Sequence, residues 1–488
     1  MKKHFKIILA AALAAMLALG LASCADVDLS GNTANSKTFE EFTVSGSSVS
    51  LEGSVFTISS AGTYTLSGKL SDGQVIVNAG DSDDVTLVLN GADISCSTGA
   101  PILVVNGDNV VIEAAAGTAN SVSDNRTSIS GSENYDAAVY SACDLDLTGT
   151  GSLTVTSKAG NGVKTKDDLG ISSLTLSVNA SGNALKGNDS VTVKSGTLDL
   201  VSTGDAGIKT SNADVSSKGN QKGSIVISGG TVNISASGDG LHAEYNVEIS
   251  GSSVINISTE DDAVHAEQQI IISGGTLGIT KSHEGLEGNV IDISGGEIYV
   301  AASDDGLNAA ASGSSTPLIN ISGGYLEVVT SSGDTDAVDS NGNFTMSGGI
   351  VIIKAGSASG GMAGSVDVDG SVKVTGGTII AFGGIASTPA SGSVNTFIQS
   401  GPSFAAGSYV LADASGNEIA SFELGGNYSS VWIASGKIQL NGTYSLSSGG
   451  TEVLSWTQTS QTVDQSSAAR PSISSSVVAQ PVTKRTAL

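Results

Sequence analysis

Short runs in which apolar and polar residues alternate recur along most of this chain. The clearest runs share the form apolar-Ser-Gly-Gly-x-apolar-x-apolar and lie at Ile227–Ile234, Ile272–Ile279, Ile293–Val300, Ile321–Val328 and Met346–Ile353. Alternation with a period of two is typical of β-strands, and the glycine pair permits a sharp corner between two strands. The pattern predicts pairs of short strands joined by tight corners, with almost no helix.

A four-residue phrase recurs between these strand pairs. In all but one copy it begins with an acidic or amide residue, which is followed by a small, an aliphatic and a polar residue. The eight copies are Asn161–Lys164, Asn183–Lys186, Ala206–Lys209, Asp239–His242, Asp262–His265, Glu284–Glu287, Asp305–Asn308 and Asp336–Asp339. Their starts are 21 to 23 residues apart, except for two gaps of 33 and 31 residues that hold inserted loops. This period predicts an all-β fold, a right-handed parallel β-helix with about 22 residues per coil, because a β-propeller needs repeats about twice as long.

The ends of the chain differ from the periodic segment. A solenoid needs caps over its open core, and aromatic residues such as Tyr409, Trp432 and Trp456 mark the C-terminal one. A late segment rich in Ser, Gln and Pro is typical of disorder. The predicted organisation is a signal peptide at 1–23, a flexible tether at 24–40, an N-terminal cap with the first coils at 41–130, the β-helix repeats at 131–385, a C-terminal β cap at 386–460 and a disordered tail at 461–488.

The N-terminus has the pattern of an export signal. Three lysines precede an apolar run from Ile7 to Leu21, and the sequence Leu-Ala-Ser-Cys ends at Cys24. This resembles a bacterial lipoprotein signal, so we expect Cys24 to be acylated and to anchor the protein to a bacterial membrane on its extracytoplasmic side. Ordinary signal cleavage and a transmembrane anchor are the alternatives, although the apolar run is short for a span.

Two further cysteines, Cys96 and Cys143, lack the spacing of metal ligands. In an exported protein they could form a disulfide, but sequence separation says nothing about their distance in space. Buried, unpaired thiols are the equal alternative.

The chain is strongly acidic, with 21 basic and 47 acidic residues and a formal net charge of −26. Without the three lysines of the predicted signal, 18 basic residues face 47 acidic ones, which gives −29. Such a charge excludes nucleic acid as a probable partner. An acidic polysaccharide is also repelled unless cations bridge it or a local basic patch receives it.

The first position of the phrase predicts a column of carboxylates, since equivalent residues of stacked coils lie about 4.8 Å apart. Like charges directly opposite one another destabilise a sheet, and calcium, which takes six to eight oxygen ligands, would neutralise them. The candidate calcium ligands are Asp239, Glu244, Asp261, Asp262, Glu267, Glu284, Glu287, Asp304, Asp305, Asn308 and Asp336. The alternative is that Asp-Gly and Asp-Asp pairs form turns that point into water.

The fourth position of the phrase changes from basic to acidic along the predicted axis. Its basic members are the candidate ligand-binding residues Lys164, Lys186, Lys209, His242 and His265. Strand alternation turns this position outward together with the residue two further on, which groups each histidine with a glutamate. A row of lysines at coil spacing suits a linear polymer of carboxylates that runs along the axis. The alternatives are neutralisation of each lysine by a nearby aspartate, and a transition-metal site or simple hydrogen bonding at the histidines.

Longer motifs resemble a known family. They are Asn161–Asp168, Ala184–Asp189, Glu284–Gly288 and Ser303–Ala310 in the repeats, with Gly62–Gly68 and Val85–Asn90 upstream. With them, the chain from about residue 40 to 380 resembles the clostridial carbohydrate-binding β-helix family. The resemblance implies a fold like that of polysaccharide lyases, calcium, and binding of pectin-type plant cell-wall polysaccharide. His283, where the family more often has tyrosine, and Ala206, where the acid is missing, depart from the pattern.

Together these features predict a surface-anchored, monomeric, non-catalytic protein that binds acidic, polygalacturonate-like polysaccharide with calcium. One alternative is a calcium-dependent pectate-lyase-like enzyme, in which an arginine or lysine removes the proton α to a uronate carboxyl. The chain has only Arg126, Arg470 and Arg485, and because none lies in the repeats, a lysine would have to serve as the base. A structural adhesin, which needs only the solenoid and the lipid anchor, is the second alternative.

Overall fold

The structure is a computed structural model that describes residues 36–129, 135–311, 315–333, 335–356 and 364–466. The described residues form strands and turns without a helix, as the alternating pattern predicts. Accordingly, no helix in this part of the chain is long and apolar enough to cross a membrane. The predicted signal peptide, Cys24 and most of the predicted tail lie outside the described residues.

The strands are short and follow one another closely. Those of the N-terminal part are β1 (Ser36–Phe39), β2 (Phe42–Ser45), β3 (Val49–Glu52), β4 (Val55–Ile58), β5 (Gly62–Leu70), β6 (Gln74–Asn78), β7 (Val85–Cys96), β8 (Ile102–Asn106), β9 (Asn109–Ala114) and β10 (Ala119–Asp124). Those of the central part are β11 (Ala137–Ser141), β12 (Asp144–Gly149), β13 (Ser152–Ser157), β14 (Asn161–Thr165), β15 (Asp168–Ile171), β16 (Thr175–Ala180), β17 (Leu185–Gly187), β18 (Ser190–Val193), β19 (Thr197–Ser202), β20 (Ile208–Lys209), β21 (Ser224–Ile227), β22 (Thr231–Ala236), β23 (Leu241–Ala243), β24 (Asn246–Ile249), β25 (Val254–Thr259), β26 (Val264–Lys281), β27 (Leu286–Ala302), β28 (Leu307–Ala309), β29 (Leu318–Ile321), β30 (Tyr325–Thr330), β31 (Val338–Ser340), β32 (Asn343–Met346), β33 (Ile350–Lys354), β34 (Asp367–Val368), β35 (Val372–Val374) and β36 (Thr378–Phe382). Those of the C-terminal part are β37 (Thr396–Phe404), β38 (Gly407–Asp413), β39 (Glu418–Leu424), β40 (Tyr428–Ser435), β41 (Thr443–Ser448), β42 (Thr451–Thr457) and β43 (Thr462–Asp464).

Each coil contributes one strand to each of three parallel sheets, which we call faces A, B and C. Face A contains the phrase and stacks β8, β11, β14, β17, β20, β23, the first parts of β26 and β27, β28, β31 and β34. Face B stacks β9, β12, β15, β18, β21, β24, the middle of β26 and β27, β29, β32 and β35. Face C stacks β10, β13, β16, β19, β22, β25, the ends of β26 and β27, β30, β33 and β36. The predicted parallel β-helix is confirmed.

Apolar side chains fill the space between the three faces. On face A the aliphatic residues of the phrase, such as Val163, Leu185 and Ile208, stack in register and are fully buried. Each buried aliphatic side chain contributes about 1.5 to 3 kcal/mol relative to exposure. Because strand side chains alternate, burial of this position sends the next residue of the phrase outward.

The glycine pairs form the corner between faces B and C. Gly324 has a φ of +82°, a conformation that residues with a side chain rarely adopt. A Cβ atom at this position would lie 2.8 Å from the carbonyl carbon of Gly295 in the preceding coil. The corner therefore requires glycine both for its backbone angle and for the close approach of successive coils.

Antiparallel strands close both ends of the solenoid. At the N-terminal end β1 pairs with β2, and β3 pairs with β4. At the C-terminal end β40 pairs antiparallel with β36, and a separate sheet has the order β39-β38-β41-β42. The aromatic residues around Phe382 pack into a core of their own beneath these strands. Strand β43 pairs with β37, so the ordered chain continues past residue 461, where the predicted tail begins.

The two described cysteines are not paired with each other. Cys96 is buried at the end of β7, and Cys143 is half-buried at the turn before β12. The Sγ of Cys96 lies 3.6 Å from Oγ1 of Thr98, and that of Cys143 lies 3.6 Å from Oγ of Ser141. Of the two possibilities that the sequence leaves open, the structure has the unpaired thiols.

Candidate functional site

The fourth residues of the phrase form one column on the outer side of face A. Strand register pairs each with its equivalent in the next coil, in the order Lys164, Lys186, Lys209, His242, His265, Glu287, Asn308, Asp339 and Asp367. The first five are called the lysine–histidine row. The column therefore changes from basic to acidic along the axis.

The three lysines of this row differ in their partners. Lys164 donates to Asp136 across 2.7 Å, and Lys209 lies 3.6 Å from Asp205. Lys186, between them, has no ion-pair partner among the described residues. Burial lowers the pKa of Lys186, and the charges of the two neighbouring lysines lower it further. Neutralisation by aspartate thus applies to the outer lysines and not to the central one.

The two histidines stack on each other. Their ring centroids are 4.9 Å apart and the ring planes differ by 6°. The Nδ1 atom of His242 lies 2.6 Å from Asp239 Oδ2. The Nδ1 atom of His265 faces two carboxylates, Glu287 Oε2 at 2.5 Å and Asp262 Oδ2 at 3.7 Å. Each ring therefore makes its shortest polar contact through the nitrogen that faces the acids of the phrase.

These contacts decide the charge of His265. Burial acts to lower its pKa, but the nearby carboxylates of Asp262 and Glu287 outweigh burial and raise the pKa to about 11. The positive ring in turn lowers the pKa of Asp262 against the effect of its burial. The outer nitrogens approach the more exposed carboxylates, with His242 Nε2 3.8 Å from Glu244 and His265 Nε2 3.5 Å from Glu267. In the absence of a metal, the acids around His265 are thus compensated by an imidazolium ion.

The first residues of the phrase form a ladder of hydrogen bonds beside this column. In the ladder, side chains bond to the backbone of the next coil. A side-chain oxygen of one coil accepts the backbone N–H of the equivalent residue in the next coil. The bonds run from Asn183 N to Asn161 Oδ1 (3.0 Å), Ala206 N to Asn183 Oδ1 (3.2 Å), Asp262 N to Asp239 Oδ1 (3.2 Å), Glu284 N to Asp262 Oδ1 (3.1 Å) and Asp336 N to Asp305 Oδ1 (2.8 Å). These residues do not point freely into water, as the turn alternative supposed. What they share is that their side-chain oxygens accept backbone N–H groups of the next coil, which would otherwise lack a hydrogen-bond partner.

Sequence reasoning missed this ladder, although a signal was present. Neutral Asn161 and Asn183 occupy the column that later coils fill with acids, so the position needs an acceptor rather than a charge. Ala206 has no side-chain acceptor, and the preceding residue Asp205 replaces it. Asn183 Nδ2 donates to Asp205 Oδ2 at 3.0 Å.

Further along face A lies a group of oxygen ligands that we call the acidic segment, made of Glu284, Asp304, Asp305 and Asn308. Burial and the neighbouring carboxylates raise the pKa of Glu284 to about 8 and that of Asp305 to about 7. Asn308 Nδ2 donates to both oxygens of Glu284, at 3.1 and 3.0 Å. Its Oδ1 atom is buried and has no hydrogen-bond partner among the described residues.

The acidic segment has little compensating charge. No lysine or arginine of the described chain forms an ion pair with it. The half-exposed ring of His283 lies 3.6 Å from Asp304, and atoms of His283, Glu284 and Asp304 all lie within 4.8 Å of one another. Raised carboxyl pKa values and an unsatisfied amide oxygen are what a hard cation would relieve.

Two other predicted calcium ligands lie at the margins of these groups. Asp261 is exposed and has an oxygen within 4.8 Å of ligand atoms of Asp239 and Asp262. Asp336 accepts the N–H of Gly364, so its carboxylate already serves the backbone ladder.

A further acidic group was not predicted. Atoms of Asp144, Asp167 and Asp168 converge at the turn between faces A and B. Burial, aided by a hydrogen bond with Asp189, raises the pKa of Asp167 to about 6. Lys222, from the inserted loop, forms an ion pair with Asp189. The sequence signal was an aspartate three residues after Lys164 and again three residues after Lys186.

The sequence is similar to known carbohydrate-binding proteins. The chain matches a family model described as carbohydrate-binding domain-containing protein over residues 52–306 and 258–445. A protein of Acetivibrio thermocellus with the same description is 34% identical over 133 residues, which are 25% of this chain and 44% of the relative. The chain thus spans less than half the length of the curated relative that it matches.

One solved structure is also similar, a gadolinium derivative of the polysaccharide lyase-like protein from C. thermocellum. The match has 31% sequence identity and covers 48% of this chain and 90% of that one, with a TM-score of 0.41.

Proposed function

The chain belongs to the family of carbohydrate-binding domain-containing proteins, and from this premise we propose that face A binds an acidic, polygalacturonate-like polysaccharide together with calcium. The observation that carries the proposal is the acidic segment, where, among the described residues, partly buried carboxylates lack a lysine or arginine partner and Asn308 Oδ1 lacks a donor. Basic and acidic residues share one outward column, so a single linear ligand can contact both.

Calcium would be held by the acidic segment. Glu284, Asp304 and Asp305 offer carboxylate oxygens and Asn308 offers an amide oxygen, all of which are hard ligands that calcium prefers. This position lies beyond the histidines, because Asp262 and Glu287 are already compensated by His265. When bound, the ion neutralises the segment and can share a carboxylate oxygen of the glycan.

The lysine–histidine row would receive further carboxylates of the same chain. Lys186 is the strongest candidate, since within the described part of the chain its ammonium group has no ion-pair partner to release. Successive coils repeat about every 4.8 Å, which brings one cationic side chain per coil toward a polymer that runs along the axis.

The spacing favours binding over a lyase reaction. Three coil steps separate Lys209 from Glu287 in the column, which is about 14 Å at 4.8 Å per step. A lyase needs a base within hydrogen-bond reach of the α-proton of the sugar whose carboxylate the metal binds. The one described arginine, Arg126, is engaged by buried Asp124 and by the backbone carbonyls of Tyr135 and Ala137. We therefore propose binding without cleavage.

The calcium position is tested by thermal unfolding of the full chain. Calcium that binds only the folded state stabilises it by about 2.7 kcal/mol at a hundredfold excess over Kd. We expect Glu284→Gln combined with Asp305→Asn to remove most of this gain, and Asp199→Asn on face C to leave it intact. Equal melting curves in calcium and in chelator would contradict the calcium proposal.

The ligand is tested by co-sedimentation with polygalacturonate in calcium, while ultraviolet absorbance reports unsaturated uronate products. We expect binding without growth of absorbance. Lys186→Gln should weaken binding more than the control Lys69→Gln in β5, outside face A. Cellulose should bind more weakly, because Tyr299 is the single aromatic side chain of the described residues that is more than a third exposed.

Steady formation of unsaturated products would instead identify a lyase. Failure of several acidic glycans to bind would favour the structural adhesin.

A further inference from the structure

We propose that Asp262, His265 and Glu287 form a binding site for one zinc ion, separate from the calcium position in the acidic segment. Ligand atoms of the three residues lie within 4.8 Å of one another. All three side chains are partly buried, with 13%, 21% and 24% of their surface exposed. The site is therefore shielded but open on one side, which leaves room for a water molecule as fourth ligand.

The ligand types and distances suit zinc. Tetrahedral zinc at about 2.0 to 2.2 Å from nitrogen and oxygen ligands places neighbouring ligand atoms about 3.3 Å apart. His265 Nδ1 is 2.5 Å from Glu287 Oε2 and 3.7 Å from Asp262 Oδ2, so small side-chain rotations suffice. Imidazole suits zinc, whereas calcium takes six to eight oxygen ligands at longer distances. Zinc binds neutral imidazole, so the ion takes the place of the proton on His265, which is released to water, and neutralises Asp262 and Glu287 in its stead.

The neighbouring histidine shows why the site forms at this coil and not one coil earlier. His242 also contacts two carboxylates, but Asp239 lies at Nδ1 and Glu244 lies at Nε2. Ligands on opposite ring nitrogens cannot converge on one ion. At the next coil Glu287 occupies the column position after His265, and this brings a second carboxylate to the same nitrogen as Asp262.

The surroundings have the features that orient zinc ligands. Ligating histidines usually direct their second ring nitrogen to a carboxylate, and His265 Nε2 lies 3.5 Å from Glu267 Oε1. The other oxygen of Asp262 accepts the backbone N–H of Glu284 at 3.1 Å, which fixes this ligand. The stacked ring of His242 covers one side of His265.

The test is equilibrium dialysis of the chelator-treated full chain against zinc chloride, with the bound metal counted by mass spectrometry. We expect one zinc per chain, retained in a hundredfold excess of calcium. His265→Gln and Glu287→Gln should each lower zinc affinity at least about a hundredfold, Glu267→Gln should lower it about 10- to 100-fold, and His283→Gln should leave it unchanged. Circular dichroism checks that each variant is folded.

The outcomes separate this site from calcium binding. Calcium stabilisation that survives in His265→Gln, while zinc binding is lost, supports two distinct sites. Loss of zinc in His283→Gln with retention in His265→Gln would overturn the proposal, as would displacement by calcium or the absence of bound zinc. Visible absorption of the cobalt-substituted chain gives a second readout, since tetrahedral coordination should give intense bands that His265→Gln abolishes.

Discussion

Two acidic residues that are both partly buried, Asp262 and Glu284, differ in pKa because their neighbours differ. Asp262 keeps a low pKa because the ring of His265 accompanies it, although burial acts in the opposite direction. One coil further, Glu284 has no such partner among the residues that the structure describes, and burial raises its pKa to about 8. The difference between a compensated acid and a cation ligand therefore depends on one neighbouring side chain.

Stability without calcium should fall as pH rises, because of Glu284. Its folded pKa of about 8 lies above the ordinary value of 4.5, so the folded state holds a proton that the unfolded state loses first. The stability contributed by this proton is present near pH 4.5 and is lost between there and pH 8.

The matching variant is Glu284→Gln, which keeps the shape and removes the ionisation. In chelator at pH 8 the unfolding free energy of the variant should exceed that of the wild type by at least about 1 kcal/mol. This corresponds to a difference of less than one unit between the folded and unfolded pKa values of Glu284. Near pH 5 the two should converge. Urea titrations at both pH values check this, and a wild-type stability that rises from pH 5 to 8 by the same amount as the variant would contradict it.

At the scale of elements, successive strands are joined by side-chain ladders as well as by backbone hydrogen bonds. Asn183 shows the coupling, since it accepts from Ala206 and donates to Asn161 and Asp205, in the coils on either side. The residue is 3% exposed. A ladder of this kind makes each coil depend on its neighbours, as in other solenoids.

Replacement of Asn183 by alanine should destabilise the protein by about 2 kcal/mol, because buried donors and acceptors lose their partner. Asn233→Ala, on the outer side of face C, removes an amide that donates to Asp199 and accepts from Asn256 at more exposed positions, and it should cost less than the Asn183 variant, about 1 kcal/mol. Urea unfolding of both variants measures the difference. Equal losses would indicate that the ladder has no special role.

The corner glycines can be tested in the same way. Gly324→Ala combines an unfavourable φ of +82° with a contact of 2.8 Å to the backbone of the preceding coil. Gly91 has a similar φ of +72° but no atom within 4 Å of the added Cβ. Gly91→Ala should therefore cost about 1 to 2 kcal/mol from backbone strain alone, and Gly324→Ala should cost clearly more. Similar melting temperatures for the two variants would show that the clash is relieved by local movement.

On the scale of the whole molecule, charge is distributed along the axis of face A. The column begins with lysines and ends with Asp339 and Asp367, within a chain of net charge −26. The net charge therefore repels a polyanion at long range, and local contacts with the lysine–histidine row and a bridging cation must supply the affinity.

We also propose that the protein is held at a membrane surface through Cys24. Metabolic labelling with a fatty acid should mark the wild type and not Cys24→Ser, since no other residue of the predicted signal can accept the lipid linkage. Cys143→Ser serves as a control that should label normally. Equal labelling of wild type and Cys24→Ser would exclude the lipoprotein assignment.

The sequence by itself determined the fold and the columns. Alternation, glycine pairs and the regular phrase specify a parallel β-helix, because a solenoid converts position in the repeat directly into position in space. The spacing of the phrase was enough to place Lys164, Lys186 and Lys209 in one row and to place the carboxylates beside them.

Only the tertiary structure decided what these residues contact. Partners such as Asp136 for Lys164 come from parts of the chain outside the phrase. Whether an acid in the column is compensated depends on distances of a few ångströms and on burial, as the contrast between Asp262 and Glu284 shows. Repeat spacing fixes which residues are neighbours to within one coil, whereas the pKa values and the unsatisfied oxygen of Asn308 depend on side-chain packing, which the spacing does not encode.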